Sequence, residues 1–76
     1  MKNPAIQPVW REVESSNVAR VGWCKEGMIV QFKASGAQYL YRGVSRQRAV
    51  AMVYAKSVGI YLNNRVKPNF EALKLS

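Results

Sequence analysis

Between Val18 and Gly43 large apolar side chains recur at every second position, with Ile29 and Leu40 as the exceptions. Two glycine-bearing dipeptides, Glu26-Gly27 and Ser35-Gly36, cut that run into three pieces. A period of two is the signature of strands with one buried face, and short Gly-containing connections are hairpin signals because Gly accepts positive φ. The segments 18–24, 28–34 and 37–43 therefore read as an antiparallel meander. With two-residue loops the register follows: Val21 faces Phe32 and Phe32 faces Tyr39, while Trp23 faces Val30 and Val30 faces Tyr41. Lys25 closes against Met28. This places almost every large apolar residue on one face, and a one-residue slip would undo it. The other face is expected to be wet and basic, with Arg20, Gln31, Lys33, Gln38 and Arg42 around Cys24, Ile29 and Leu40.

After Val44 the period changes. Ser45 is a plausible N-cap for a helix that opens Arg46-Gln47-Arg48 and continues through the seven apolar residues 49–55. A helix apolar nearly all round must be largely covered, most simply by the sheet. Ser57 offers a second cap for a short helix reaching Val66, which Pro68 stops. The expected class is α+β: a three-stranded meander, to which the chain near Trp10 can add a strand, with two helices on one face. Residues 1–8 read as a loose arm, 9–70 as one domain, and 71–76 as a tail; around that boundary Phe70 and Leu73 could anchor the tail or make an outside contact.

Composition narrows the chemistry. The 76 residues hold 12 Lys plus Arg, 4 acidic residues (all Glu), one Cys and no His, for a formal net charge of +8. Without His, and with one Cys, neither a zinc site nor a disulfide framework is expected, and acid–base machinery is scarce. No cofactor is implied, and a catalytic Cys24 lacks a partner base. No apolar run approaches a membrane span, so the expectation is a soluble, cytoplasmic, non-enzymatic binding domain. The positive excess favours an acidic partner, nucleic acid first. Through Val44 there are 6 basic and 3 acidic residues, and after it 6 basic and 1 acidic, so the surplus leans toward the helical half.

Three short motifs resemble one family. Val13-Glu14-Ser15-Ser16-Asn17-Val18, then Tyr39-Leu40-Tyr41 followed by Gly43-Val44, then Ala55-Lys56-Ser57-Val58-Gly59-Ile60-Tyr61-Leu62-Asn63 stand in the order found in the KTSC domain. That module is named for the C-terminus of some lysyl-tRNA synthetases and also occurs as small free-standing bacterial and phage proteins. The resemblance spans roughly residues 13–70 and makes Ser15, Ser16, Tyr39, Tyr41, Ser57, Gly59, Tyr61 and Asn63 its motif residues. Trp23-Cys24, Ser45 and Leu62 depart from the usual pattern as packing and capping variants. The synthetase context implies RNA binding.

The candidate phosphate-binding residues are Arg20, Lys33 and Arg42 on the sheet, Arg46 and Arg48 at the first helix, and Arg65 and Lys67 as outlying contributors. In the proposed register Arg20 lies across from Lys33, a repulsion that a bound anion would relieve. Arg46 and Arg48 sit where a helix prefers anions, so with the Ser45 hydroxyl and free N–H groups they suit a phosphate. Alternatively Glu12, Glu14 or Glu26 pairs with them. Tyr39 and Tyr41 could stack bases only if the helices covered the opposite face; the register makes them core. Gly59 is expected to pack against the first helix, flanked by Tyr61 and Asn63. The functional expectation is nucleic-acid binding, RNA before DNA, with low sequence specificity. The alternative is a protein-interaction module that engages an acidic protein. The chain is expected to be a monomer or a homodimer.

Overall fold

The computed structural model describes residues 9–75; the segment read as a loose arm lies outside them. Five strands form one antiparallel sheet in chain order: β1 (Val9–Glu12), β2 (Val18–Cys24), β3 (Gly27–Phe32), β4 (Gln38–Arg42) and β5 (Ala72–Lys74). Between β4 and β5 run α1 (Arg46–Val53), then α2 (Val58–Tyr61), which continues as a π-helical turn, Leu62–Val66. The class is α+β, with two more strands than the central meander. β1 is the added strand near Trp10. β5 turns the expected tail into a sheet edge: its three residues are all exposed and carry no alternation to announce it.

The hairpin register differs from the expected one by two residues. Cys24 pairs with Gly27, so the first loop is Lys25-Glu26, and Val21 stands opposite Val30 with Trp23 opposite Met28. Gly27 is in the strand rather than the loop. It has φ +151°, and a Cβ there would run into the Tyr41 carbonyl oxygen of β4. In the second hairpin Phe32 N–H donates to Ala37 O at 3.0 Å, leaving 33–36 as the loop and pairing Val30 with Tyr39 and Met28 with Tyr41. A shift of two preserves which side chains share a face, so the division into faces survives although every pair changes. A β-bulge between Val18 and Arg20 lets Val18 and Val21, three residues apart, enter the same core.

That core lies between the sheet and the helices: Val18, Val21, Met28, Val30 and Tyr41 meet Ala49, Met52, Val58, Leu62 and Val66. Both expected caps form. Ser45 Oγ accepts from Arg48 N–H and Ser57 Oγ accepts from Ile60 N–H, each at 3.2 Å. Val58, Leu62 and Val66 recur every four residues, which overshoots an α-turn by about 0.4 residue. The wider π turn, closed by Lys67 N–H on Leu62 O at 2.9 Å, keeps all three in the core.

Two expectations about exposure are corrected. α1 is not covered all round: it buries Ala49 and Met52 and leaves Val50 and Tyr54 exposed. The sheet face away from the helices is not open and basic. The register aligns Trp10, Gly22, Ile29, Leu40 and Leu73 in one row across all five strands. Cys24, Ile29 and Leu40 form a second buried cluster, with Trp10 and Leu75 packed on it.

Candidate nucleic-acid interface

Strand parity separates the candidate cations into two groups. Arg20 and Arg42 belong to the face away from the helices. Arg20 stands opposite Gln31, not Lys33; its Nε donates to Gln31 Oε1 at 2.6 Å, and its guanidinium lies 4.0 Å over the Trp10 ring. Lys33 is in the β3–β4 loop, its N–H bonded to Asn17 O. The like-charge opposition expected of Arg20 and Lys33 therefore does not exist, because the register shift replaces lysine with an amide.

At the start of α1, the Ser45 hydroxyl is taken up by the Arg48 N–H, and the Arg48 guanidinium turns to the Phe70 ring at 5.6 Å. Glu12 stands opposite Arg20 across β1 and β2, and Glu26 lies in the β2–β3 turn. Glu14 is exposed in the connection from β1 to β2, and among the described residues none of the three forms an ion pair with Arg46 or Arg48. Arg46 lines a different groove, between α1 and β1. Lys67 Nζ lies 5.6 Å over the Phe32 ring, and Arg65 is exposed on the π turn.

Lys67 and Phe70 line one groove on the helix-side face, and Arg48 borders it only through its contact with the Phe70 ring. The groove is open, about 610 Å³ in volume, and lined by Phe32, Ser35, Tyr39, Tyr41, Lys67, Phe70 and Ala72. Phe32 and Tyr39 meet edge to face, with centroids 5.8 Å apart at 77°. Tyr41 is buried as expected, but Phe32, Tyr39 and Phe70 are only half-buried and form the groove's walls. Lys74, the cross-strand partner of Tyr39, belongs to the same face. Sequence reasoning places Phe32 in the core, leaves Phe70 as a tail anchor and does not single out Lys74. Strand alternation tells which face a ring occupies, but not how far along it the helices extend.

Most of the motif residues hold the fold together. Ser15 Oγ accepts from Val18 N–H at 3.2 Å and donates to Asn17 Oδ1 at 3.1 Å, fixing the turn into β2. That turn sits against Gly59: a Cβ on Gly59 would lie 2.9 Å from Asn17 Oδ1. The atoms nearest to such a Cβ thus belong to the Asn17 side chain rather than to α1, and that side chain would have to give way. Tyr61 lines a shallow pocket with Ser45, Gln47 and Arg48, while Asn63 and Ser16 are exposed. Burial pushes the Tyr41 hydroxyl above its ordinary pKa, with nearby Tyr39 adding to the effect. Burial likewise pushes up the Cys24 thiol, which is therefore protonated at neutral pH. Among the described residues no group of three or more His, Cys, Asp or Glu could hold a metal. No helix among them is long and apolar enough to cross a membrane.

The fold is shared with a solved protein. A KTSC domain protein from Yersinia pestis superposes with a TM-score of 0.81 at 24% sequence identity, over 92% of this chain and 100% of that one. No curated protein matches the sequence. The KTSC domain model matches residues 14–70, from the Ser15 turn through Phe70. The chain belongs to the KTSC domain family.

Proposed function

We propose that this protein is a small non-enzymatic module that binds nucleic acid, RNA ahead of DNA, through phosphate contacts and base stacking with low sequence specificity. The observation that carries this reading is the pairing of cations with half-exposed rings in one groove: Arg48 over Phe70, Lys67 over Phe32, and Tyr39 beside Lys74. Rings of this kind accept any base, and guanidinium or ammonium groups beside them meet the backbone. Nothing in the groove resembles a base-reading set of amides, so affinity rather than sequence preference is the expected property. Arg65 and Lys33, both exposed, and Arg20 and Arg42, on the opposite face, contribute to long-range attraction.

Titration of the full chain against a labelled single-stranded RNA, and against DNA of the same sequence, at two salt concentrations tests the proposal. Binding should weaken as salt rises. Arg48→Gln with Lys67→Gln should lower the salt slope by about 0.7 for each phosphate no longer neutralised. Tyr39→Ser should weaken RNA binding at least about fivefold, the low end of a stacking contribution of roughly 1–3 kcal/mol. Absence of binding at low salt, or binding indifferent to these changes, would overturn it.

A further inference from the structure

The second groove of the molecule lies on the same side of the sheet but at the other edge, between β1 and α1, with a volume of about 570 Å³. We infer that it is a docking site for an extended acidic segment of a partner protein, added as a strand along the free edge of β1.

The first support is where the exposed apolar surface lies. Of the five large hydrophobic residues left exposed among the described residues, three line this groove: Val9 at 75%, Tyr54 at 70% and Val50 at 46%. Scattered apolar residues on a surface need no explanation, but a cluster in one concavity marks a contact. Trp23 lines the groove as well, and its indole N–H is buried without a hydrogen-bond partner among the described residues.

The second support is the strand edge. Among the described residues β1 pairs with β2 alone, so one row of its backbone N–H and C=O groups has no strand beside it. Val9 stands opposite Trp23 and Arg11 opposite Val21, so both share the face turned toward α1. A strand laid against β1 would send every second side chain to that face, over Val50 and Tyr54. Peptides recognised by strand addition gain affinity from main-chain bonds and specificity from such alternating pockets.

The third support is charge. Two cations, Arg11 and Arg46, line the groove and no acidic residue does. The Arg11 guanidinium is held at the rim, donating to Tyr54 Oη at 3.1 Å with its carbon 5.7 Å from the ring centroid. A segment with carboxylates beside its apolar residues complements this pair. A second copy of the chain does not: antiparallel β1–β1 pairing that keeps faces matched and engages three of the four β1 residues sets Val9 opposite Arg11 or Arg11 opposite itself. Either way the two arginines meet near the dyad of a chain already at +8.

The probes are fluorescein-labelled peptides of alternating Glu and Ile, alternating Lys and Ile, and alternating Glu and Ser, titrated into the full chain. The Glu–Ile peptide should bind about tenfold or more tightly than either control. It should also slow hydrogen exchange of the β1 amides. Val50→Ser should weaken it about tenfold while leaving RNA affinity unchanged, and Arg11→Gln should abolish the preference for Glu over Lys. Failure of the Glu–Ile peptide to bind, or binding without β1 protection, would overturn the inference. So would dimerisation that Val50→Ser dissolves in sedimentation, which would assign the groove to a second copy. RNA binding weakened by Val50→Ser would assign it to nucleic acid, and peptide binding seen only after removal of residues 1–8 would assign it to the chain itself. Because Arg48 and Lys67 lie outside this groove, loss of RNA binding in their variants leaves the peptide result independent.

Discussion

Two buried acids with raised pKa values, Cys24 and Tyr41, tie single residues to the pH range of the fold. Each is neutral when protonated, and burial penalises the anion, so the folded-state pKa lies above the unfolded one. Such a group contributes stability that is fully present below its ordinary pKa and is lost as pH rises through the raised value. For Cys24 the loss begins above its ordinary value of 9.0, and for Tyr41 above 10.0. The thermal midpoint should therefore be level from neutral pH to about 9 and fall beyond it, and Cys24→Ala with Tyr41→Phe should flatten that alkaline limb. An alkaline limb unchanged in the double variant would refute this assignment. Packing in the apolar cluster with Ile29 and Leu40 is what buries the thiol and disfavours its thiolate.

Among the elements, the close approach of β3 to β4 is the most sensitive to substitution. Gly27 has φ +151° and no room for a methyl group against the Tyr41 carbonyl oxygen, so the residue that opens β3 must be glycine. Gly27→Ala should cost at least about 2 kcal/mol and lower the melting midpoint by roughly 10 °C for a domain of this size. A calorimetric midpoint within a degree or two of the parent would contradict that geometry. The elements also show what a sequence conveys and what it withholds. Facing is legible from parity alone, and Val21, Met28, Val30 and Tyr41 read as core even though the true pairing is shifted by two residues. The caps Ser45 and Ser57 are legible because their chemistry is local. The approach of Gly59 to Asn17 is not, since it joins residues distant in sequence. β5 is equally silent, as three exposed residues supply neither period nor core. The seven consecutive apolar residues 49–55 look like a helix covered all round, yet α1 ends at Val53, and Val50 and Tyr54 border a groove.

At the scale of the whole molecule, the positive excess resolves into separate places. Arg20 and Arg42 occupy one face of the sheet; Arg48, Lys67 and Lys74 gather at one end of the other, and Arg11 and Arg46 at its opposite edge. The sequence alone mixes these groups because charge has no direction until strand parity and the β4–α1 connection assign one. Each group has a ring beside a cation, Trp10 with Arg20 and Tyr54 with Arg11 included, but the groove end gathers several half-exposed rings, Phe32, Tyr39 and Phe70, and the proposed single-stranded interface is placed there for that reason. Footprinting by NMR on the isotope-labelled full chain tests this most directly. Adding single-stranded RNA at low salt should shift the amides of Phe32, Tyr39, Arg48, Lys67 and Phe70 together and leave those of Arg20 and Trp10 in place. Shifts centred on the Arg20–Trp10 face, or no localised shifts at all, would contradict the account.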